Sequence, residues 1–184
     1  MVQTKIEGRW TCKEITKSTI KEAVEFMLGL MIPGDQDLIS KLKVSVKMAY
    51  NLAKNSDRTG GVWWMDSYRS PIDFDIEIDG CCNWATTLTS LAHELVHVKQ
   101  MALGEWTQNE HGTSNRWLGQ LIDVSKYHYR DLPWEIDAYG REAGLYIRFD
   151  EWFDGKDIRP LPNISPDTQL LVSSMAGTIK PLKL

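Results

Sequence analysis

The stretch 84–103, WATTLTSLAHELVHVKQMAL, has few ways to bury its apolar side chains. Leu88, Leu91, Ala92, Leu95 and Val96 recur at three- and four-residue intervals, and that spacing predicts an α-helix from about Trp84 to Leu103. Asn83 stands where an N-cap is needed, and Gly104 where such a helix would stop. His93, His97 and Gln100 fall on a different face from the apolar stripe. The fold must therefore set this rod against a core on one side and present two histidines on another.

Those histidines belong to His93-Glu94-Leu95-Val96-His97, which reads H-E-x-x-H. Four residues are a little over one helical turn, so the imidazoles project about 40° apart and can grip one ion. Imidazole suits zinc, and Glu94 can reach a water beside the ion as a general base. The chain has four His in 184 residues, so a shuffled chain would show the pattern with a probability of roughly 0.005. Catalytic zinc takes three protein ligands and keeps one position open. The residues themselves leave Glu135, His111, Asp137, His128 and Asp131 open as the third donor.

One domain is expected over residues 1–184, with its core at about 18–153 and an extended tail from 154 to 184 that carries Pro160, Pro162, Pro166 and Pro181. The formal net charge of −4 argues against a general nucleic-acid binder. Cys12, Cys81 and Cys82 make no disulfide framework and no C-x-x-C, which suggests a reducing compartment. The stretch Met1 to Trp10 lacks a signal-peptide pattern, and the longest apolar run, around Phe26 to Ile32, is too short to span a membrane. The expectation is a cytoplasmic protein that acts without a membrane. Nothing in the sequence points to an oligomeric state.

Around the motif helix the pattern alternates. Ser18 to Glu22 reads as a helix start with Thr19 and Glu22 as a capping box, and Pro33-Gly34 as its end. Leu42, Val44, Val46 and Met48 alternate with lysines and Ser45, which predicts a half-buried strand; Val62 to Asp66 is a second one. Ile72, Phe74, Ile76 and Ile78 alternate with Asp73, Asp75, Glu77 and Asp79, a strand whose acidic outer face would be solvated and keep a sheet edge from aggregating. A short helix is expected near Trp117 to Val124. Asp131-Leu132-Pro133 opens a longer one to about Phe153, with Asp131 as a cap and Pro133 in the first turn.

Leu91 to Val98, LAHELVHV, resembles the active-site helix of zincin metallopeptidases, and Pro133 to Tyr139, PWEIDAY, resembles the second helix of gluzincins. Small phage and bacterial metallopeptidase-like proteins pair these two segments. The likeness covers roughly residues 70 to 150. It implies an α+β, zincin-like fold: a small, twisted, mostly antiparallel sheet packed on the H-E-x-x-H helix and on a second ligand-bearing helix. It also implies that Glu135 completes a Zn2+ site with His93 and His97. His111-Gly112, fourteen residues after His97, resembles instead the SprT-like proteases, some of which act at DNA; the Thr-Ser-Asn-Arg-Trp that follows departs from their pattern.

The gluzincin resemblance implies a zinc metalloendopeptidase that hydrolyses peptide or protein substrates with a water activated by Glu94. The alternatives are a SprT-like DNA-associated protease and a non-catalytic zinc protein. A hydrogen-bond donor for the oxyanion is expected among Tyr127, His128 and Tyr129, with Tyr129 favoured, and Asp137 or Asp131 is expected to orient a ligand imidazole. In zincins the strand just before the motif helix edges the cleft, so 72–79 would pair with substrate and its acids would favour basic peptides.

Overall fold

A computed structural model describes residues 1–155, apart from 57, 69, 110 and 112. The extended tail expected beyond residue 155 lies outside the described residues.

Alternation builds the main sheet. Its strands are β1 (Gln3–Gly8), β2 (Lys43–Ala49), β3 (Gly60–Trp64) and β4 (Asp73–Asp79), in the order β1-β2-β4-β3. Val44, Val46, Met48, Phe74, Ile76 and Ile78 are all buried on one face. β1 and β4 both run parallel to β2, and β3 is antiparallel to β4. The sheet is thus mixed, not mostly antiparallel as expected. An alternating pattern says which face a side chain takes and carries no information about the direction of the neighbouring strand.

The acidic strand also changes place. β4 lies inside the sheet, and the edges are β1 and β3. Register sets β4 acids opposite β2 lysines: Lys47 Nζ is 2.9 Å from Glu77 Oε1 and Lys43 Nζ is 3.8 Å from Asp73 Oδ2. The alternating charges form a cross-strand ladder on the open face of the sheet and do not guard an edge.

Helices cover the other face. α1 (Lys17–Met31) is capped by Thr16, whose Oγ1 accepts from Thr19 N at 3.1 Å while Thr19 Oγ1 accepts from Thr16 N. The expected Thr19–Glu22 box does not form, and Glu22 instead accepts from Ser18 Oγ. α2 (Gln36–Lys41) and α3 (Leu52–Ser56) are short connectors. α4 (Trp84–Ala102) starts at Asn83, whose side chain accepts from Thr86 N at 2.9 Å. Its apolar stripe sits in the core with α1 and the sheet.

The segment expected to hold a short helix at 117–124 is a three-stranded antiparallel meander of β5 (Trp106–Gln108), β6 (Asn115–Trp117) and β7 (Gln120–Ile122). Leu118 and Gly119, at φ 48° and 81°, form the two-residue turn between β6 and β7. Two successive positive φ values match the right-handed twist of a hairpin and are incompatible with a helix.

α5 (Pro133–Phe153) begins with Pro133 in its first turn, where a missing N–H costs nothing. Its N-cap is Leu132, with no side-chain cap; Asp131 belongs to a preceding 3-10 turn, Tyr129–Asp131. α5 runs antiparallel along α4. At its far end the buried Phe149 meets Phe26 of α1 with ring centroids 5.8 Å apart, and Trp84 Nε1 donates to Asp150 at 2.7 Å. At its near end it covers the histidine face of α4. Among the described residues no helix is long and apolar enough to cross a membrane.

Candidate metal centre

Helical spacing puts His93 and His97 one turn apart on α4, and the antiparallel α5 brings Glu135, in its first turn, against both. The three side chains are buried, Glu135 to 2% relative exposure. His93 Nε2 lies 3.2 Å from His97 Nε2 and 3.2 Å from Glu135 Oε2, and His97 Nε2 lies 3.4 Å from Glu135 Oε1. Among the described residues this is the one group of three or more His, Cys, Asp or Glu side chains arranged to hold an ion.

The separations fit a cation. Donors about 2.0–2.1 Å from a tetrahedral ion stand roughly 3.3 Å from one another, the edge of the tetrahedron. The other ring nitrogens fix the tautomers. His93 Nδ1 is 2.7 Å from Glu142 Oε2, and His97 Nδ1 is 2.9 Å from Gln100 Oε1; each partner accepts an Nδ1–H and leaves an Nε2 lone pair turned inward. Gln100 is itself held, since its Nε2 donates to Trp134 O at 3.0 Å and to Asp137 Oδ2 at 3.1 Å. Glu135 Oε2 is buried without a hydrogen bond, because its approach to His93 lacks hydrogen-bond geometry. Two lone pairs and a carboxylate thus crowd one point, an arrangement that calls for positive charge.

The electrostatics agree. Burial pushes the His93 pKa down, but Glu135, Glu94 and Glu142 around it outweigh that and hold it above its ordinary value. Burial pushes Glu135 the other way, yet its contacts with His93, His97 and Tyr129 bring its carboxyl down to about 2. Burial raises the pKa of Glu94, a carboxyl 7% exposed on the same turn of α4. A carboxylate raised towards neutrality is suited to accept and return a proton.

The centre opens into a cleft of about 940 Å3 between β3, α4, α5 and the meander. Trp106 contacts His97 at 5.4 Å between ring centroids and stacks on Trp134 at 4.8 Å, so the meander forms one wall. Tyr139 packs on His93 at 4.7 Å. β3 forms the opposite rim. Asp79 N donates to Thr59 O and Met65 N to Asp73 O, which by alternation turns the backbone of Gly60 and Val62 to the edge that has no strand partner among the described residues. A Cβ on Gly60 would stand 2.7 Å from Glu94 Oε1, so the bare α-carbon makes room for that carboxylate.

The structure brings His93, Glu94, His97, Glu135 and Tyr129 to one cleft. The Tyr129 ring is largely exposed while its hydroxyl end turns in to Glu135; burial there, then Glu135, raise its pKa and keep the hydroxyl protonated. His111, His128, Tyr127 and Asp131 are exposed and do not line the cleft. Asp131 orients no imidazole, and Asp137 acts on His97 only through Gln100. The cleft strand is β3, not the 72–79 strand, and none of the β4 acids lines it. Glu142 and Gly60 are not singled out by the sequence, and Tyr139 enters only as the last residue of the PWEIDAY segment, with no role given. Tyr139 and Glu142 follow Glu135 by four and seven residues, the spacing of one helix face, and that is the signal that marks them. Comparison with family models, with curated proteins and with solved structures finds no significant match to this chain.

Proposed function

We propose that the protein is a zinc-dependent metallopeptidase. The observation that carries this is the convergence of His93 Nε2, His97 Nε2 and a Glu135 carboxylate at tetrahedral-edge distances, beside a buried Glu94 and an open cleft. His93, His97 and Glu135 would hold the ion, and a donor set of two imidazoles and one carboxylate is that of a catalytic zinc site with a vacant position. The chemistry supplied by zinc in such a site is Lewis acidity toward water and a peptide carbonyl.

This chain's residues do the rest. An extended peptide pairs with the free backbone edge at Gly60 and Val62, which gives affinity with little demand on sequence. Glu94 takes a proton from the attacking water on a carboxylate oxygen and returns it to the leaving amine. The protonated Tyr129 hydroxyl donates to the oxygen of the carbonyl as negative charge develops there. Glu142 and Gln100 keep the imidazoles in the tautomer that binds an ion. A purely structural zinc site has no use for a carboxylate base beside the ion or for an open cleft.

The test is stoichiometric zinc uptake together with hydrolysis of an unstructured protein such as casein. Zinc binding with chelator-sensitive cleavage is expected. A protein that takes up no zinc, or whose cleavage survives in Glu94→Gln, overturns the proposal.

A further inference from the structure

The charged side chains that line the cleft are nearly all committed. Glu135 faces both imidazoles, Glu142 accepts from His93 Nδ1, and Glu94 is buried beside Gly60. Among the described residues, the cationic side chains of the lining, apart from the histidines, are Arg58 and Arg130. Arg58 Nη2 is 3.3 Å from Glu77 Oε2, and its guanidinium lies over the Trp63 ring at 5.0 Å. Arg130 differs: its guanidinium stands 5.9 Å from the Tyr139 ring centroid, and no carboxylate of the described residues is within ion-pair distance of it. Tyr139 in turn packs on His93. A guanidinium with no carboxylate partner among the described residues therefore rests on Tyr139, two ring contacts from His93, and lines the cleft that would take an extended peptide.

We infer that Arg130 recognises a carboxylate of the substrate, so that the cleft selects peptides with an acidic group close to the bond to be cut. This rests on the peptidase proposal and names its substrate class. Guanidinium is matched to carboxylate by its planar fork, and Tyr139 supplies a face that limits its directions. An extended chain advances about 3.3 Å per residue, so the group recognised falls within about three residues of the scissile bond. The expected preference is opposite to the one that an acidic cleft strand would impose, because no β4 acid lines the cleft, and Asp73 and Glu77 are paired with Lys43, Lys47 and Arg58. The carboxylate comes either from an Asp or Glu side chain or from a chain terminus.

The experiment measures binding to the zinc-loaded Glu94→Gln protein, with fluorescent octapeptides that carry one Glu, Lys or Ala scanned along an otherwise neutral sequence. One set has blocked ends and the other a free C-terminus. A peptide with a well-placed carboxylate should bind roughly fivefold more tightly than its Ala counterpart, the upper range for an exposed ion pair. The gain should shrink as ionic strength rises. It should vanish in Glu94→Gln/Arg130→Gln and pass to the Lys peptides in Glu94→Gln/Arg130→Glu. A gain confined to internal Glu assigns the subsite to side chains, and a gain confined to free ends assigns it to termini; both support the inference. Equal binding of acidic and neutral peptides, or a preference that survives Arg130→Gln, overturns it. Binding and cleavage fail separately. Acid-selective binding without hydrolysis by the unaltered protein keeps the subsite and sinks the peptidase, whereas cleavage with no acid preference does the reverse.

Discussion

Glu135 and Glu142 sit two turns apart on α5 and reach opposite nitrogens of the same imidazole. Glu135 Oε2 is 3.2 Å from His93 Nε2, and Glu142 Oε2 is 2.7 Å from His93 Nδ1. One helix therefore supplies both a candidate donor for an ion and the group that orients a second candidate donor. Removing the Glu142 carboxyl leaves the donor set intact but frees the ring. Glu142→Ala is expected to weaken zinc binding about 10- to 100-fold, with a smaller loss in Glu142→Gln, which still accepts a hydrogen bond. Competition with a chromophoric chelator measures it, and an unchanged affinity would show that His93 needs no such partner.

Glu135→Ala removes a donor outright and leaves two imidazole lone pairs facing each other. Zinc content after dialysis should fall to near zero, while His111→Ala, at an exposed position away from the cleft, should keep full content. Zinc should also stabilise the unaltered protein, because binding to the folded chain alone adds about 2.7 kcal/mol when free ion is at a hundred times its Kd. Chelation should therefore lower Tm in the unaltered protein and leave Glu135→Ala unmoved. The opposite pattern for the two variants would hand the third position to His111.

Glu94→Gln preserves the shape of the base and removes its proton chemistry. Zinc affinity should be retained and kcat for peptide hydrolysis should fall by about 100-fold or more. Equal kcat in a preparation free of other proteases would take Glu94 out of the reaction.

Gly60 offers a quieter test of the same carboxylate. A methyl group there would meet Glu94 Oε1 at 2.7 Å, inside any real contact, whereas at Gly61 an added Cβ meets the Trp63 ring on the other face of β3 at 3.0 Å. Gly60→Ala is expected to displace Glu94 and to reduce kcat on the order of a hundredfold, with zinc affinity unchanged. Glu94→Asp, one methylene shorter, should then lose less activity on the Gly60→Ala background than on the original one. Strict additivity of the two changes would argue that Gly60 does not position the base.

Phe149 is fully buried between α1 and α5, with Phe26, Trp152 and Phe153 around it. Phe149→Ala should cost about 3–5 kcal/mol, which for a chain of this size lowers Tm by about 6–20 °C. A shift of only a degree or two would mean that the aromatic cluster closes over the lost ring.

The two long helices were the parts most open to reading from sequence. The Leu88–Val96 stripe, the Asn83 cap and Pro133 in a first turn each have a local physical cause that the structure repeats. The meeting of Glu135 with the two histidines has no local cause, since it joins two separate helices, and it was the resemblance to gluzincins that singled Glu135 out. What failed is what depends on distant neighbours. The acids of β4 look like edge protection until β2 lysines are seen across from them. The strands β5, β6 and β7 are three residues each, too short for alternation to register, and their turn rests on a leucine at positive φ that no turn rule would nominate. Glu142 and Gly60 carry no motif; each matters only for the side chain it meets.

α5 is seated at both ends. Glu135 meets the histidine pair at one, and Phe149, about 20 Å further along the helix axis, is clamped at the other. A rod fixed at two points passes tilt from either support to the other, so the spacing of the candidate metal donors would register how well a distant aromatic plug is filled. On the proposed function, zinc affinity would become a gauge of packing at the far end of the helix, and a trimmed ring at Phe149 should be felt as a looser metal before the chain unfolds.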